Sequence, residues 1–150
     1  RQALLLVPEI SLTPQLKASV RGRFPSTRVV SLHSGLNESE RLQHWLAAQS
    51  GSARIVLGTR LAVFTPLPQL GVIVVDEEHD TSYNQDEAPR YNGRDVAIVR
   101  GQRAAALVVL GSATPSMESY THAMSGKYEH VVLDRRVLDR PLAAVTVVEP

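Results

Sequence analysis

At 150 residues the chain has the length of one ordinary domain, long enough to bury a core. Its 43% hydrophobic and 21% charged content excludes a disordered chain. No apolar run approaches membrane-spanning length and nothing at the start reads as a signal peptide, so no membrane partner and a cytoplasmic address are expected. A net charge of +1, from 16 basic against 15 acidic residues, excludes the strongly basic footprint of a protein that grips duplex DNA by phosphate neutralisation. Zero cysteines exclude disulfides and thiolate zinc sites.

Apolar runs alternate with helical patterns along the chain. Leu4–Val7 is a continuous apolar run, and Arg28–Leu32, Ile55–Leu57, Val72–Val75 and Leu107–Leu110 repeat it. Continuous rather than alternating apolarity predicts strands covered on both faces, as in a parallel sheet. Between the first two, Thr13-Pro14 offers an N-cap with proline at the first helical position, opening a helix to about Phe24. Asn37-Glu38-Ser39-Glu40 leads into a second helix, whose Leu42, Trp45 and Leu46 are spaced for one apolar face. Asp80 to Arg94 is the longest irregular stretch, and loops of that length in compact domains usually serve a function. Helices at about Asp95–Arg103 and Met117–Met124 complete an α/β doubly wound order. Arg135 to Pro141 reads as a linker and Val145–Val148 as a strand, and both ends of the chain look cut.

In open parallel sheets, ligands bind beyond the carboxyl ends of the strands. The turns there are Pro8-Glu9, His33-Ser34-Gly35, Gly58-Thr59-Arg60, Asp76-Glu77-Glu78-His79 and Gly111-Ser112-Ala113-Thr114-Pro115. At the fourth, two adjacent carboxylates point to opposite sides of an extended backbone. One can hold a hydrated Mg²⁺ while the other orients a water for attack on phosphorus. The plainer alternative is that these acids cap the next helix. A metal-dependent hydrolase centre is a further reading, although no histidine pair shows the i, i+4 spacing of a zinc helix. His44, in an amphipathic helix, reads as surface or boundary filler, and His130 as a residue of a late strand with no visible partner. Ser112 and Thr114 are explained equally by capping of a helix started at Pro115, and Arg60 is either a phosphate contact or a surface charge.

In order, these turns resemble the motifs of superfamily 2 DNA helicases of the DEAH type. Leu6–Glu9 through Thr13–Gln15 resembles motif Ia, Gly58-Thr59-Arg60 motif Ib, Asp76-Glu77-Glu78-His79 motif II, and Gly111-Ser112-Ala113-Thr114 motif III. The strings LVPEISLTPQ, LHSGL, GTRLAVF, DEEHD, PRYNGRDVA and LGSATPS are similar to the replication-restart branch of that superfamily, from about Leu4 to Pro141.

The resemblance implies a RecA-like (P-loop NTPase-type) α/β fold, a parallel sheet with flanking helices, here without the phosphate-loop strand and helix. Residues 1–134 would be part of helicase lobe 1, and 135–150 a linker and the start of the segment leading to lobe 2. The implied activity is ATP-dependent 3′-to-5′ DNA unwinding in replication restart and primosome assembly, by a cytoplasmic, nucleoid-associated bacterial protein. Asp76 would hold the Mg²⁺ of MgATP through water and Glu77 the attacking water, with Glu78 and His79 completing the catalytic motif. His79 would face motif III, where Gly111, Ser112, Ala113 and Thr114 couple nucleotide state to DNA. Pro8, Glu9, Thr13, Ser34, Gly35, Gly58, Thr59 and Arg60 would lie along a single-stranded DNA track. Thr13 would present helix-start amides to a phosphate. Tyr83, Arg90, Tyr91 and Arg94 belong to a stretch that resembles the aromatic-rich loop linking DNA contact to ATP hydrolysis. Base stacking on such residues is worth about 1–3 kcal/mol. Some members carry tryptophan where this chain has Pro89.

No G-x-x-x-x-G-K-[ST] occurs in the sequence, so the groups that grip the nucleotide's phosphates are absent from it. The expectation is a fragment that binds no cofactor and turns over no ATP alone. The parent's zinc insertion and second lobe would lie outside this chain. Its partners would be single-stranded and forked DNA, the primosome and single-stranded DNA-binding proteins, with self-association through an exposed strand edge. The competing class is a non-catalytic DNA- or protein-binding module on the same fold.

Overall fold

The computed structural model describes residues 1–134. The expected linker from Arg135 and the strand at Val145–Val148 lie outside the described residues. In chain order the elements are β1 (Gln2–Leu6), α1 (Pro14–Arg23), β2 (Val29–Leu32), α2 (Glu38–Gln49), β3 (Ile55–Gly58), β4 (Leu70–Val75), β5 (Asn84–Gln85), β6 (Tyr91–Asn92), α3 (Gly93–Ala104), β7 (Leu107–Leu110) and α4 (Met117–Met124). Short 3₁₀ turns cover Glu9–Ser11, Arg60–Phe64 and Thr81–Tyr83. The chain divides into two compact units, Arg1–Ser116 and one beginning at Met117. No helix among the described residues is long and apolar enough to cross a membrane.

Five strands form one parallel sheet in the order β2-β3-β1-β4-β7. Its centre is apolar and closed: Leu4, Leu6, Val56, Leu57, Ile73 and Val75 are fully buried. Gln2 begins β1 inside this core. Its amide donates to the Ala48 and Ala53 carbonyls and accepts from the Gln69 N–H, which offsets the cost of burying it. The edge strand β7 departs from the expectation of two covered faces. Leu107 is 65% and Val109 41% exposed, while α3 packs on the opposite face so closely that a Cβ on Gly101 would lie 2.1 Å from the Val108 Cγ2.

Local signals explain the helix starts. The Thr13 hydroxyl accepts from the Leu16 N–H, with Pro14 at the first helical position. Asn37 and Glu40 form a capping box. The face of α2 is the reverse of the one expected: Leu42, Trp45 and Leu46 are exposed, and Ala47 and Ala48 are buried. Small alanines allow α2 to lie close against β2, and the His44 Nδ1 sits 2.6 Å from the Ser31 carbonyl oxygen of that strand. Pro115 starts no helix, since α4 begins at Met117.

Candidate functional site

Because the five strands are parallel, their carboxyl ends share one edge. The strand order sets the turns along it as His33–Gly35, Gly58–Arg60, Pro8–Glu9, Asp76–His79 and Gly111–Thr114. Backbone bonds fasten them in that order: Thr59 N–H to Leu32, Val7 N–H to Gly58, Asp76 N–H to Leu6 and Gly111 N–H to Val75. The acidic turn is thus flanked by the Ser112 turn on one side and by the Pro8-Glu9 turn on the other.

The backbone does not stay extended through the acids, as the sequence reading assumed. It turns at Glu77, whose φ is +47°, a conformation that costs a non-glycine residue about 1–3 kcal/mol. The turn is held by Glu78 N–H to Gly111 O, Asp80 N–H to Glu77 O, and Glu77 N–H to the Asp76 Oδ1. Asp76 is exposed and Glu77 half-buried, whereas Glu78 is buried. The four residues are therefore not equivalent. Asp76 and Glu77 face outward, and Glu78 turns into the protein. Hydrogen bonds from Ser82 hold the Asp80 carboxyl below its ordinary range, and its role is to cap the 3₁₀ turn that follows.

His79 joins the acidic turn to its neighbour. Its Nδ1 lies 2.6 Å from the Ser112 Oγ and 3.6 Å from a Glu77 carboxylate oxygen, and its Nε2 is 3.5 Å from the Thr114 hydroxyl. Ser112 in turn accepts from the Thr114 N–H. A carboxylate, an imidazole and two hydroxyls thus form one connected surface. Asp76 uses one carboxylate oxygen on Glu77, and Mg²⁺ commonly takes one or two carboxylates with several waters, so this donor set fits an ion held through water. Among the described residues no group of three or more His, Cys, Asp or Glu side chains could hold a metal, which gives no support to the alternative metal-hydrolase centre.

Of the expected DNA contacts, Glu9, Ser34 and Gly35 are exposed, and Ser34 donates to Glu9 across the intervening turn. Pro8, Gly58 and Thr59 are buried and present little surface. Gly58 is fixed by packing, because a Cβ there would lie 2.1 Å from the Ala62 Cβ and 2.8 Å from the Leu32 carbonyl oxygen. Thr13 is half-buried at its cap. Arg60 donates to the Ser82 and Asn84 carbonyls, so its guanidinium is engaged within the protein. Beside Ser34, Lys17 Nζ lies 3.1 Å from the His33 Nε2, and partial burial and this ammonium lower the His33 pKa.

The Asp80–Arg94 stretch is not irregular. It forms a 3₁₀ turn and a small antiparallel hairpin pairing Asn84 with Asn92 and Gln85 with Tyr91. Three of its four candidate contacts face inward. Tyr83 is fully buried and its hydroxyl donates to the Asp76 carbonyl at 2.7 Å. Burial first, and then nearby carboxylates, raise its pKa. Tyr91 packs edge-on against Phe64 with its hydroxyl buried, and Arg94 binds Glu78 and Asp95. Only Arg90 of the four is exposed. The exposed aromatic beside this loop is Phe64, which sequence reasoning passed over although it closes the GTRLAVF string.

Residues 1–123 match the family model described as DEAD/DEAH box helicase. The replication restart protein PriA of Bacillus subtilis (strain 168) is 46% identical over 149 residues, which is 99% of this chain and 18% of that protein. Its counterpart from Chlamydia pneumoniae is 52% identical over 129 residues, 85% of this chain and 17% of that protein. The chain therefore spans less than a fifth of the length of these curated relatives. Among solved structures, the C-terminal domain of a S. cerevisiae Dbp5 variant bound to a Gle1 variant and IP6 aligns with a TM-score of 0.54 at 17% identity, covering 85% of this chain and 71% of that one. A second structure of the C-terminal domain of the DEAD-box protein Dbp5 gives 0.52 at 16% identity, covering 85% and 72%. These two likenesses are of fold.

Proposed function

The chain belongs to the DEAD/DEAH box helicase family and has its RecA-like fold, and from that premise we propose that it forms part of lobe 1 of an ATP-dependent 3′-to-5′ DNA helicase acting in replication restart. Helicases of this family use ATP and Mg²⁺ in general. The observation that carries the reading is the acidic turn: Asp76 and Glu77 face outward at the sheet edge, joined through His79 to Ser112 and Thr114. The similarity to replication restart proteins over most of this chain supports the cellular role.

In this reading Asp76 presents a carboxylate to hydrated Mg²⁺. The ion, when bound with nucleotide, supplies neutralisation of developing phosphate charge. Glu77 orients a water by accepting its hydrogen bond, and the turn at φ +47° holds that carboxylate beside His79. His79 carries the position of the Ser112–Thr114 turn to the acids. The DNA side lies along Glu9, Ser34 and Gly35, and Arg90 and Phe64 are the exposed candidates of the hairpin and of the turn that packs on it. Forked DNA, the primosome and single-stranded DNA-binding proteins are the partners of the whole protein, and its zinc lies in another segment. Among the described residues β7 ends the sheet, and its outer edge is suited to further strand pairing, including with a second copy.

The sequence contains no phosphate-gripping G-x-x-x-x-G-K-[ST], so the 150-residue chain by itself does not turn over ATP. Measuring DNA-stimulated ATP hydrolysis on the full-length protein and on this chain tests the reading. Full-length protein should hydrolyse ATP and lose about a hundredfold or more in Asp76→Asn. Turnover by the isolated chain, or an active Asp76→Asn, would sink it. A gene whose sequence before Arg1 has no phosphate-gripping motif would favour a non-catalytic DNA- or protein-binding module.

A further inference from the structure

Glu78 is the one acid of the Asp76–Glu78 run that faces inward, and its partners define a clamp. Its side chain is 1% exposed. One oxygen accepts from the Ser116 N–H at 2.6 Å, and the other accepts from the Ser116 hydroxyl at 3.0 Å and from Arg94 Nη1 at 3.1 Å. Arg94 Nη1 also donates to the Ser116 hydroxyl at 2.8 Å, and its Nε to Asp95 at 2.9 Å. The backbone of Glu78 takes part as well, donating to the Gly111 carbonyl. Residue 78 thus holds both ends of the segment from Gly111 to Ser116. The middle of that segment carries Ser112 and Thr114, which meet His79. Arg94 stands where the Asn84–Asn92 hairpin passes into α3, and its side chain is 11% exposed.

We propose that Glu78 and Arg94 are positioning residues: Arg94 fastens the start of α3, and with it the 80–94 hairpin, to Glu78, which sets the Gly111–Ser116 turn and so the seat of His79. This rests on the reading of Asp76–His79 and Ser112–Thr114 as hydrolytic machinery. It gives Arg94 an internal task in place of base stacking. A carboxylate buried to this degree is strongly disfavoured without its cation. Displacing Arg94 therefore forces Glu78 to find water or a proton, and either change disturbs both ends of the turn. A displacement of the hairpin is delivered to His79 through Arg94, Glu78 and the turn that carries Ser112 and Thr114.

The test uses the full-length protein, with two readouts: the Kd for a fluorescent single-stranded oligonucleotide, and ATP turnover with saturating DNA relative to turnover without it. Arg94→Ala should lower the stimulation ratio by about tenfold while the Kd stays within about twofold. Glu78→Gln should act in the same direction, and the double variant should be no worse than the worse single one, as expected of groups acting through one contact. Arg94→Lys, a milder change that retains the charge but cannot reach Glu78, Ser116 and Asp95 together, should lose less, about threefold. If Arg94→Ala does not fold, this variant decides. A weakened Kd with full stimulation restored at saturating DNA would overturn the proposal in favour of direct DNA contact. So would additive losses in the double variant, or an Arg94→Lys indistinguishable from wild type. A wild-type protein with no DNA-stimulated turnover would instead remove the helicase reading on which the clamp rests.

Discussion

Replacing Tyr83 by Phe separates two roles that the sequence left together. If Tyr83 stacks on a base, Phe stacks as well, and the change is nearly silent. If Tyr83 is a buried strut, the change deletes the 2.7 Å bond to the Asp76 carbonyl and leaves the ring in place. Tyr83 is fully buried, so no water stands ready to replace the hydroxyl on its side. The loss of one such bond costs about 0.5–1.5 kcal/mol net, and about 1–3 kcal/mol where a buried partner is left unsatisfied. The bond is only partly buried, so solvent recovers part of the difference. A cost of about 1–2 kcal/mol follows, which speeds local opening by roughly 5–30-fold. Hydrogen exchange measured on peptides covering residues 76–84 of the full-length protein reads this directly. Exchange should accelerate there while the oligonucleotide Kd is unchanged. Unchanged exchange in Tyr83→Phe, together with a DNA Kd weakened by Tyr83→Ala, would refute the strut and restore the stacking role.

Gly58→Ala should destabilise β3 and the Thr59–Phe64 turn by about 2–3 kcal/mol, at the upper part of the overpacking range, because the new methyl meets the Ala62 Cβ and a backbone oxygen; exchange in peptides 55–64 should rise, and wild-type exchange there would contradict the packing. His33 carries a pH dependence. Its folded pKa lies below the ordinary 6.5, through burial and then Lys17 and His44, with Glu40 and Glu9 opposing. Between the folded value and 6.5 the unfolded chain binds more protons, so the contribution to stability is complete above 6.5 and is lost as pH falls through the folded pKa. The melting temperature should decline on acidification below 6.5, and His33→Gln should flatten that decline; equal slopes in the two proteins would count against it.

Features written into single segments were legible in the sequence. Each apolar run ending in a polar turn became a strand of one parallel sheet, and the Thr13-Pro14 and Asn37–Glu40 signals became caps. Features that depend on a distant partner were not legible. Periodicity gave α2 an apolar face at Leu42, Trp45 and Leu46, yet contact with β2 selected the face of Ala47 and Ala48. Nothing local told Tyr83, Tyr91 and Arg94 to face inward, since their partners are Asp76, Phe64 and Glu78. The motif II resemblance places Glu78 with Asp76, Glu77 and His79 and does not set it apart. Its partner Ser116 stands 38 residues away, beyond any local pattern. One signal is local: of the four acids in DEEHD two suffice for a metal and a water, which leaves Glu78 and Asp80 for other tasks.

The strand order also gives meaning to where the internal links converge. β4 lies between β1 and β7 in the sheet, so its turn is the one place that can touch both the Pro8-Glu9 side and the Ser112 side. The 80–94 hairpin grows directly from that turn and is tied down at separate points. Arg60 holds Ser82 and Asn84, Phe64 holds Tyr91, Tyr83 holds Asp76, and Arg94 holds Glu78. Two of these ties lead to the Arg60–Phe64 turn after β3, and two lead to the acids. A force on the turn after β3 therefore has a route through the hairpin to Asp76 and Glu78, around the buried β1 rather than through it. Such a route needs the hairpin to move as one body, and the pairing of Asn84 with Asn92 and of Gln85 with Tyr91 is what joins its two strands. Coupling between the two sides should then depend on the hairpin's internal pairing as much as on its exposed tip.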